Sequence, residues 1–258
     1  SKMEPARIHL MVDDQTLYGL VFYKNRLVKT FQSSIDSLSS EFLKSIFTDK
    51  SQINQKEALV YIFIRNALFT IVPQAFQDDT CNLKTMELLS GPLVNHHIFS
   101  HSKGDNSYLQ ALPLPIWDFF NQQFDRIRWV SVPEVYEFFT LQKSFANMKV
   151  TLSWHHQLLI VLFFDRQKLV FCNSYKAKDL TEVLYYILFV QQQFISPKII
   201  DYIQVFTDLT SSVELKSKLD FYFKSTHIQL VNPSLDSALP NSEPLLQIPE
   251  LYTLNLCV

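Results

Sequence analysis

The sequence predicts an α/β protein of two similar lobes, each opening with three antiparallel strands and a helix. Three observations carry this. Between Lys149 and Phe194, runs rich in β-branched and aromatic residues are broken at polar clusters and then give way to helical periodicity. The same order recurs near the N-terminus, where Tyr23-Lys-Asn-Arg-Leu-Val aligns with Phe164-Asp-Arg-Gln-Lys-Leu-Val, one residue longer. The 258 residues are enough for two domains, and 22 Phe and 11 Tyr can fill two cores.

In the first lobe, Ile8 to Val12, Leu17 to Tyr23 and Leu27 to Phe31 read as strands turned at Asp13-Asp14-Gln15 and Lys24-Asn25-Arg26. Ser33 or Ser34 caps a helix facing inward through Ile35, Leu38, Phe42 and Ile46. Ala58 to Ile64 and Ala67 to Val72 are strands joined near Arg65-Asn66. Pro73 ends the second, and a helical stretch runs to about Leu89. Ile98 to Ser102 and Tyr108 to Leu112 flank the turn Lys103-Gly104-Asp105-Asn106. Pro115 starts a helix with Ile116, Phe119, Phe120 and Phe124 inward. A short strand, Arg128 to Val130, and a helix opened by Pro133 follow.

In the second lobe, the meander from Lys149 to Tyr175 has His155-His156 at its first hairpin tip and Asp165 in its second turn. Leu180, Val183, Leu184, Ile187, Val190 and Phe194 lie on one face of a helix that Asp179 and Glu182 begin as a capping box. Tyr202 to Thr207 is a strand, Ser212 to Phe223 a helix, and His227 to Val231 a closing strand. Asn232 to Pro249, with four prolines, reads as an irregular connection, and Leu251 to Val258 as a terminal strand.

Composition narrows the function classes. The net charge of -2 gives no general attraction for nucleic acid or an anionic membrane. Cys81, Cys172 and Cys257 are widely spaced, which points to a reducing compartment. No apolar leader opens the sequence, and the longest apolar run, Leu158 to Phe164, is far below the roughly 20 residues of a membrane helix. A cytoplasmic protein is the expectation. Glycine is the outlier, with Gly19, Gly91 and Gly104 alone, although glycine lets backbone approach phosphate closely.

Three strands, helix, strand, helix, strand is the order of a ribonuclease H-like unit, and two in tandem resemble the actin-like ATPase fold. Leu114-Pro-Ile-Trp-Asp-Phe-Phe, Ile127-Arg-Trp-Val and Val132-Pro-Glu-Val-Tyr-Glu-Phe-Phe look like the linking region of actin-like pilus-assembly proteins. More closely, Leu68-Phe-Thr-Ile-Val-Pro-Gln-Ala-Phe and Asp179-Leu-Thr-Glu-Val-Leu-Tyr-Tyr-Ile-Leu-Phe-Val are similar to a bacterial family known as domain of unknown function 3822. The resemblance implies tandem ribonuclease H-like lobes of the actin-like ATPase superfamily, α/β with mixed sheets flanked by helices. The first is placed at 1–145 with the linking segment and the second at 146–258.

It also implies an ancestral ATP cleft between the lobes, held by an Asp/Gly-containing hairpin from each and by a glycine pair near the adenosine. The first hairpin here keeps Asp13 and Asp14 without a nearby glycine. The second, around His155 and His156, has neither acid nor glycine, and the adenosine turn at Thr207-Asp208-Leu209-Thr210 has no glycine. These positions, Asp13, Asp14, His155, His156 and Asp208, are therefore degenerate nucleotide contacts.

Other constellations have plainer readings. Asp13 and Asp14 suit Mg²⁺ or a nuclease site only if later strands add carboxylates, and Asp165 falls in a turn. His96, His97 and His101 have metal-binding chemistry, but neighbours along a strand point to opposite sides. Cys172 reads as buried and inert. Tyr185, Tyr186 and Phe189 make the capped helix apolar on a second face, which suits either further packing or a partner.

The expectation is a non-catalytic actin-like scaffold that binds another protein, with no cofactor, metal or catalytic residue. The alternatives are a small-ligand-binding protein using the cleft and a divergent ATP- or metal-dependent enzyme using Asp13 and Asp14.

Overall fold

The structure, a computed structural model, describes residues 6–13, 16–24, 26–37, 39, 41, 57–76, 78–141, 147–195, 200–207, 209–231 and 250–251. Its chain divides into two compact units, Ser1–Val135 with Glu250–Val258, and Tyr136–Pro249.

In the first unit, β1 (Arg7–Asp13), β2 (Thr16–Tyr23) and β3 (Arg26–Ser34) form the expected meander. With β4 (Leu59–Arg65) and β8 (Ile127–Val130) they make a sheet of order β3-β2-β1-β4-β8, in which β1, β4 and β8 run parallel. Both faces of its central strands are buried, so β1 and β4 read as nearly continuous apolar runs. On one face Ile8, Leu10, Val12, Val60, Ile62 and Ile64 pack with Phe120 and Phe124, which belong to and follow α2 (Leu114–Gln123). On the other face His9 is fully buried and donates through Nδ1 to the Leu251 carbonyl at 2.9 Å.

A three-stranded antiparallel sheet, β5-β7-β6, follows from β5 (Phe69–Pro73), β6 (His96–Lys103) and β7 (Asn106–Pro113), with α1 (Asp79–Ser90) beside β7. β5 leaves β4 to pair with β7, so these consecutive strands belong to different sheets. Buried Gln110 on β7 holds this junction. Its Nε2 donates to the Ile64 carbonyl and, at 3.2 Å, to Asn66 Oδ1. Its Oε1 accepts the Val132 N–H at 2.8 Å. That N–H opens α3 (Val132–Leu141), where the Ser131 N–H also donates to Glu134 Oε2 at 3.4 Å.

The second unit repeats the plan. β9 (Met148–His155), β10 (Leu158–Asp165) and β11 (Lys168–Lys176) form the meander, followed by α4 (Leu180–Val190), β12 (Ile200–Thr207), α5 (Leu209–Tyr222) and β13 (His227–Leu230). The sheet order is β11-β10-β9-β12-β13, with β9, β12 and β13 parallel. Asp179 caps α4, accepting the N–H groups of Thr181 and Glu182 at 2.8 and 3.0 Å. Val183, Leu184, Ile187 and Val190 of α4 join Leu215 and Leu219 of α5 on one sheet face. The other face carries a cluster of polar side chains. Tyr136 donates to Ser153 at 2.7 Å, the Thr140 and Thr151 hydroxyls meet at 2.6 Å, and Lys149 Nζ donates to the Thr140 carbonyl at 3.0 Å.

Several expectations shift. Ile35–Ser37 is a 3₁₀ turn; Leu38, Phe42 and Ile46 lie outside the described residues. α4 ends at Val190 and continues as a π-helical turn, Gln191–Ile195, because the backbone slips register there. α5 begins at Leu209 rather than Ser212. Leu251 is helical, not extended, and residues 252–258 lie outside the described set, as do 232–249. Among the described residues, no helix is long and apolar enough to cross a membrane.

Candidate functional site

The hairpin mouths that the resemblance marks are built differently in the two units. In the first, Asp13 is the last residue of β1, directly beside Arg65 at the end of parallel β4. The Arg65 guanidinium, expected in a turn, is carried inward by that strand and lies 3.4 Å from the Asp13 carboxylate. Both side chains are buried, at 1% and 7% exposure. A fixed cation at that distance satisfies the carboxylate and repels a divalent metal ion. Burial, then the Asp13 charge, raises the Tyr18 hydroxyl above its usual range. Asp14 lies outside the described residues.

In the second unit His155 ends β9, and the two-residue turn is His156-Gln157 rather than His155-His156. Both turn residues are left-handed, with φ of +47° and +65°. Nearby Ala177 links the mouth together. Its N–H donates to the Gln157 carbonyl at 2.8 Å, and its own carbonyl accepts the Trp154 indole N–H at 3.0 Å. Thr207, at the end of β12, donates its hydroxyl to the Trp154 carbonyl at 2.9 Å. Asp208 lies outside the described residues. Asp165 ends β10 and pairs with Lys168 in the ladder, so it is not in the turn itself.

All three glycines have structural work. Gly19 on β2 faces Phe31 on β3, and a Cβ there would collide with the Phe31 ring. Gly91 caps α1 at φ +81°, and Gly104 turns the β6–β7 hairpin at φ +60°.

The histidine cluster is divided. His96 Nδ1 donates to the Val94 carbonyl at 3.0 Å, and His97 stacks on Trp117 at 3.6 Å between ring centres. His101 approaches Glu134 at 3.7 Å, beside the closer Arg128–Glu134 pair at 2.9 Å. Burial lowers the His97 basicity, with Asp118 opposing. Among the described residues no three His, Cys, Asp or Glu side chains are placed to hold a metal ion. Burial, then the Glu137 charge, pushes the Cys172 thiol well above its usual range.

Residues 2–226 match the family described as Protein of unknown function (DUF3822). The chain belongs to this family. No curated protein matches the DUF3822 chain. Among solved structures it is similar to a Bacteroides thetaiotaomicron VPI-5482 protein with actin-like ATPase fold and unknown function. The identity is 18% and the TM-score 0.73, covering 88% of this chain and 92% of that one. It is also similar to a chain of the PilM–PilN type IV pilus biogenesis complex, at 10% identity and TM-score 0.59, covering 97% and 96%. The DUF3822 chain therefore has the actin-like ATPase fold expected from its element order.

Arg65, Gln110 and Ala177 escape sequence reasoning, because their partners are distant in the chain or are backbone atoms. The Ser131-x-x-Glu134 spacing, in which Glu134 makes its half of a capping box, is written locally and is readable.

Proposed function

We propose that this DUF3822 chain is a non-catalytic scaffold that uses the actin-like fold to bind another protein in the cytoplasm. The observation that carries the reading is the buried Arg65–Asp13 pair. A carboxylate already neutralised by a fixed guanidinium is a poor ligand for the Mg²⁺ that accompanies a nucleotide triphosphate. Two further features support it. The second hairpin presents two non-glycine residues in left-handed geometry, and each glycine in the chain is engaged in packing, capping or turning elsewhere.

The similarity to PilM, found in a complex with PilN, supports protein binding as the use of such a fold. The partner and process differ by surface chemistry, which fold does not fix.

Isothermal titration of the full chain with ATP and Mg²⁺, followed by a phosphate-release assay, tests this. The expected result is no saturable heat and no release above buffer. Micromolar binding accompanied by turnover would overturn it.

A further inference from the structure

The contact between Arg65 and Asp13 uses one corner of the guanidinium. Arg65 Nη1 donates to Asp13 Oδ2 at 3.4 Å, a single bond longer than the about 2.7–2.9 Å usual for a charged pair. Arg65 Nε and Nη2 are buried and have no hydrogen-bond partner among the described residues. The side chain is 1% exposed, so bulk water does not reach them. A buried charged donor without an acceptor is costly to the fold.

These two atoms belong together. The N–H of Nε and one N–H of Nη2 lie along the same edge of the planar guanidinium and point the same way. Their spacing matches the two oxygens of one carboxylate. Nη1 lies off that edge, so Asp13 holds the guanidinium from one side and leaves its two-pronged edge unused.

The place in the fold suits a ligand. Arg65 ends β4 in register with Asp13 at the end of parallel β1, and ligands of open α/β sheets lie beyond the carboxyl ends of such strands. The chain then rises to the surface through half-buried Asn66 and exposed Ala67. Half-buried Thr16 and Tyr18 of β2 share the sheet face of Asp13, and the Tyr18 hydroxyl is near enough to feel both charges.

From the unused edge we infer that Arg65 anchors a binding site for a small carboxylic acid, held as its carboxylate by Nε and Nη2 together. Phosphate fits less well, because its second charge is repelled by the Asp13 carboxylate on the same guanidinium. A lone carbonyl oxygen cannot take both donors in parallel. The depth of Arg65 admits a small acid more readily than the side chain of another protein. The inference goes beyond the scaffold reading and does not depend on it, since a carboxylate here supplies neither a metal ligand nor a phosphate contact.

The experiment titrates the nitrogen-labelled full chain with sodium acetate, using sodium chloride at matched ionic strength as the control. The Nε–H signal of Arg65, assigned through bonds to its own backbone, is followed by NMR. It is expected to move saturably with acetate and to stay in place with chloride. Arg65→Lys keeps a cation beside Asp13 and loses the two-pronged edge, so acetate affinity, read at the Asn66 and Ala67 amides, falls about tenfold or more. Inorganic phosphate binds the natural chain more weakly than acetate.

An Arg65 Nε–H signal indifferent to acetate would overturn the inference, and this is read on the natural chain whether or not the variant folds. So would an acetate response that Arg65→Lys leaves unchanged, or tighter binding of phosphate than of acetate. ATP turnover would remove the scaffold reading and leave the carboxylate site standing.

Discussion

Arg65 and Asp13 are aligned across the parallel β1–β4 ladder, and their side chains meet at 3.4 Å with almost no solvent access. Register places them together: both end their strands, and both point to the same sheet face as Tyr61 and Phe63. Arg65→Met leaves a buried carboxylate without its guanidinium, which costs about 3–5 kcal/mol. Adding Asp13→Asn recovers most of that loss, since no charge is then stranded. Urea unfolding of the four members of this cycle checks it, and additive losses would show that the pair is not coupled.

Gly19 is needed for packing. Its position on β2 lies against the buried Phe31 ring of β3, which occupies the space a side chain would take. Gly19→Ala destabilises by about 1–3 kcal/mol through overpacking, and Phe31→Leu in the same chain relieves part of it. Urea midpoints at constant m-value measure both. A neutral Gly19→Ala would mean that the β2–β3 ladder yields easily.

Local signals in the sequence were enough for α4, because Leu180 to Val190 repeat at helical spacing and Asp179 sits where a cap belongs. They were enough for both meanders, whose turns fall at polar clusters. They were not enough for β5, because an apolar strand carries no record of which strand it pairs with. The Arg65–Asp13 contact spans 52 positions and the His9–Leu251 bond 242, so neither leaves a local pattern. Nor did the sequence show how the three histidines separate, since that depends on β6 starting at His96.

Asp179 makes stability at the start of α4 depend on pH. The Glu182 N–H, then that of Thr181 and the Lys218 charge, holds its carboxyl below the usual carboxylate range. A folded-state value below the unfolded one, about 3.9, gives a contribution fully present above that pH and lost as pH falls through the folded value. Asp179→Ala is therefore less stable than the natural chain at pH 7, and the difference narrows in acid. Thermal melts from pH 7 to about pH 3 follow it. An unchanging difference would assign the cap's effect to something other than its charge.

The hairpin at the second mouth separates turn strain from nucleotide binding. His156 and Gln157 are both left-handed, where a Cβ costs roughly 1–2 kcal/mol per residue and Asn-Gly is favoured. Replacing them together, His156→Asn with Gln157→Gly, raises stability by about 1 kcal/mol after the entropy of the added glycine is counted. The same variant gains no affinity for ATP. Its turn carbonyl stays tied to the Ala177 N–H, and the Asp13 carboxylate in the first unit stays bound to Arg65. Urea unfolding and ATP titration of one variant read the two effects separately. Micromolar ATP binding in it would mean that turn residues alone had closed the nucleotide site, and the weight placed on the Arg65–Asp13 pair would be misplaced.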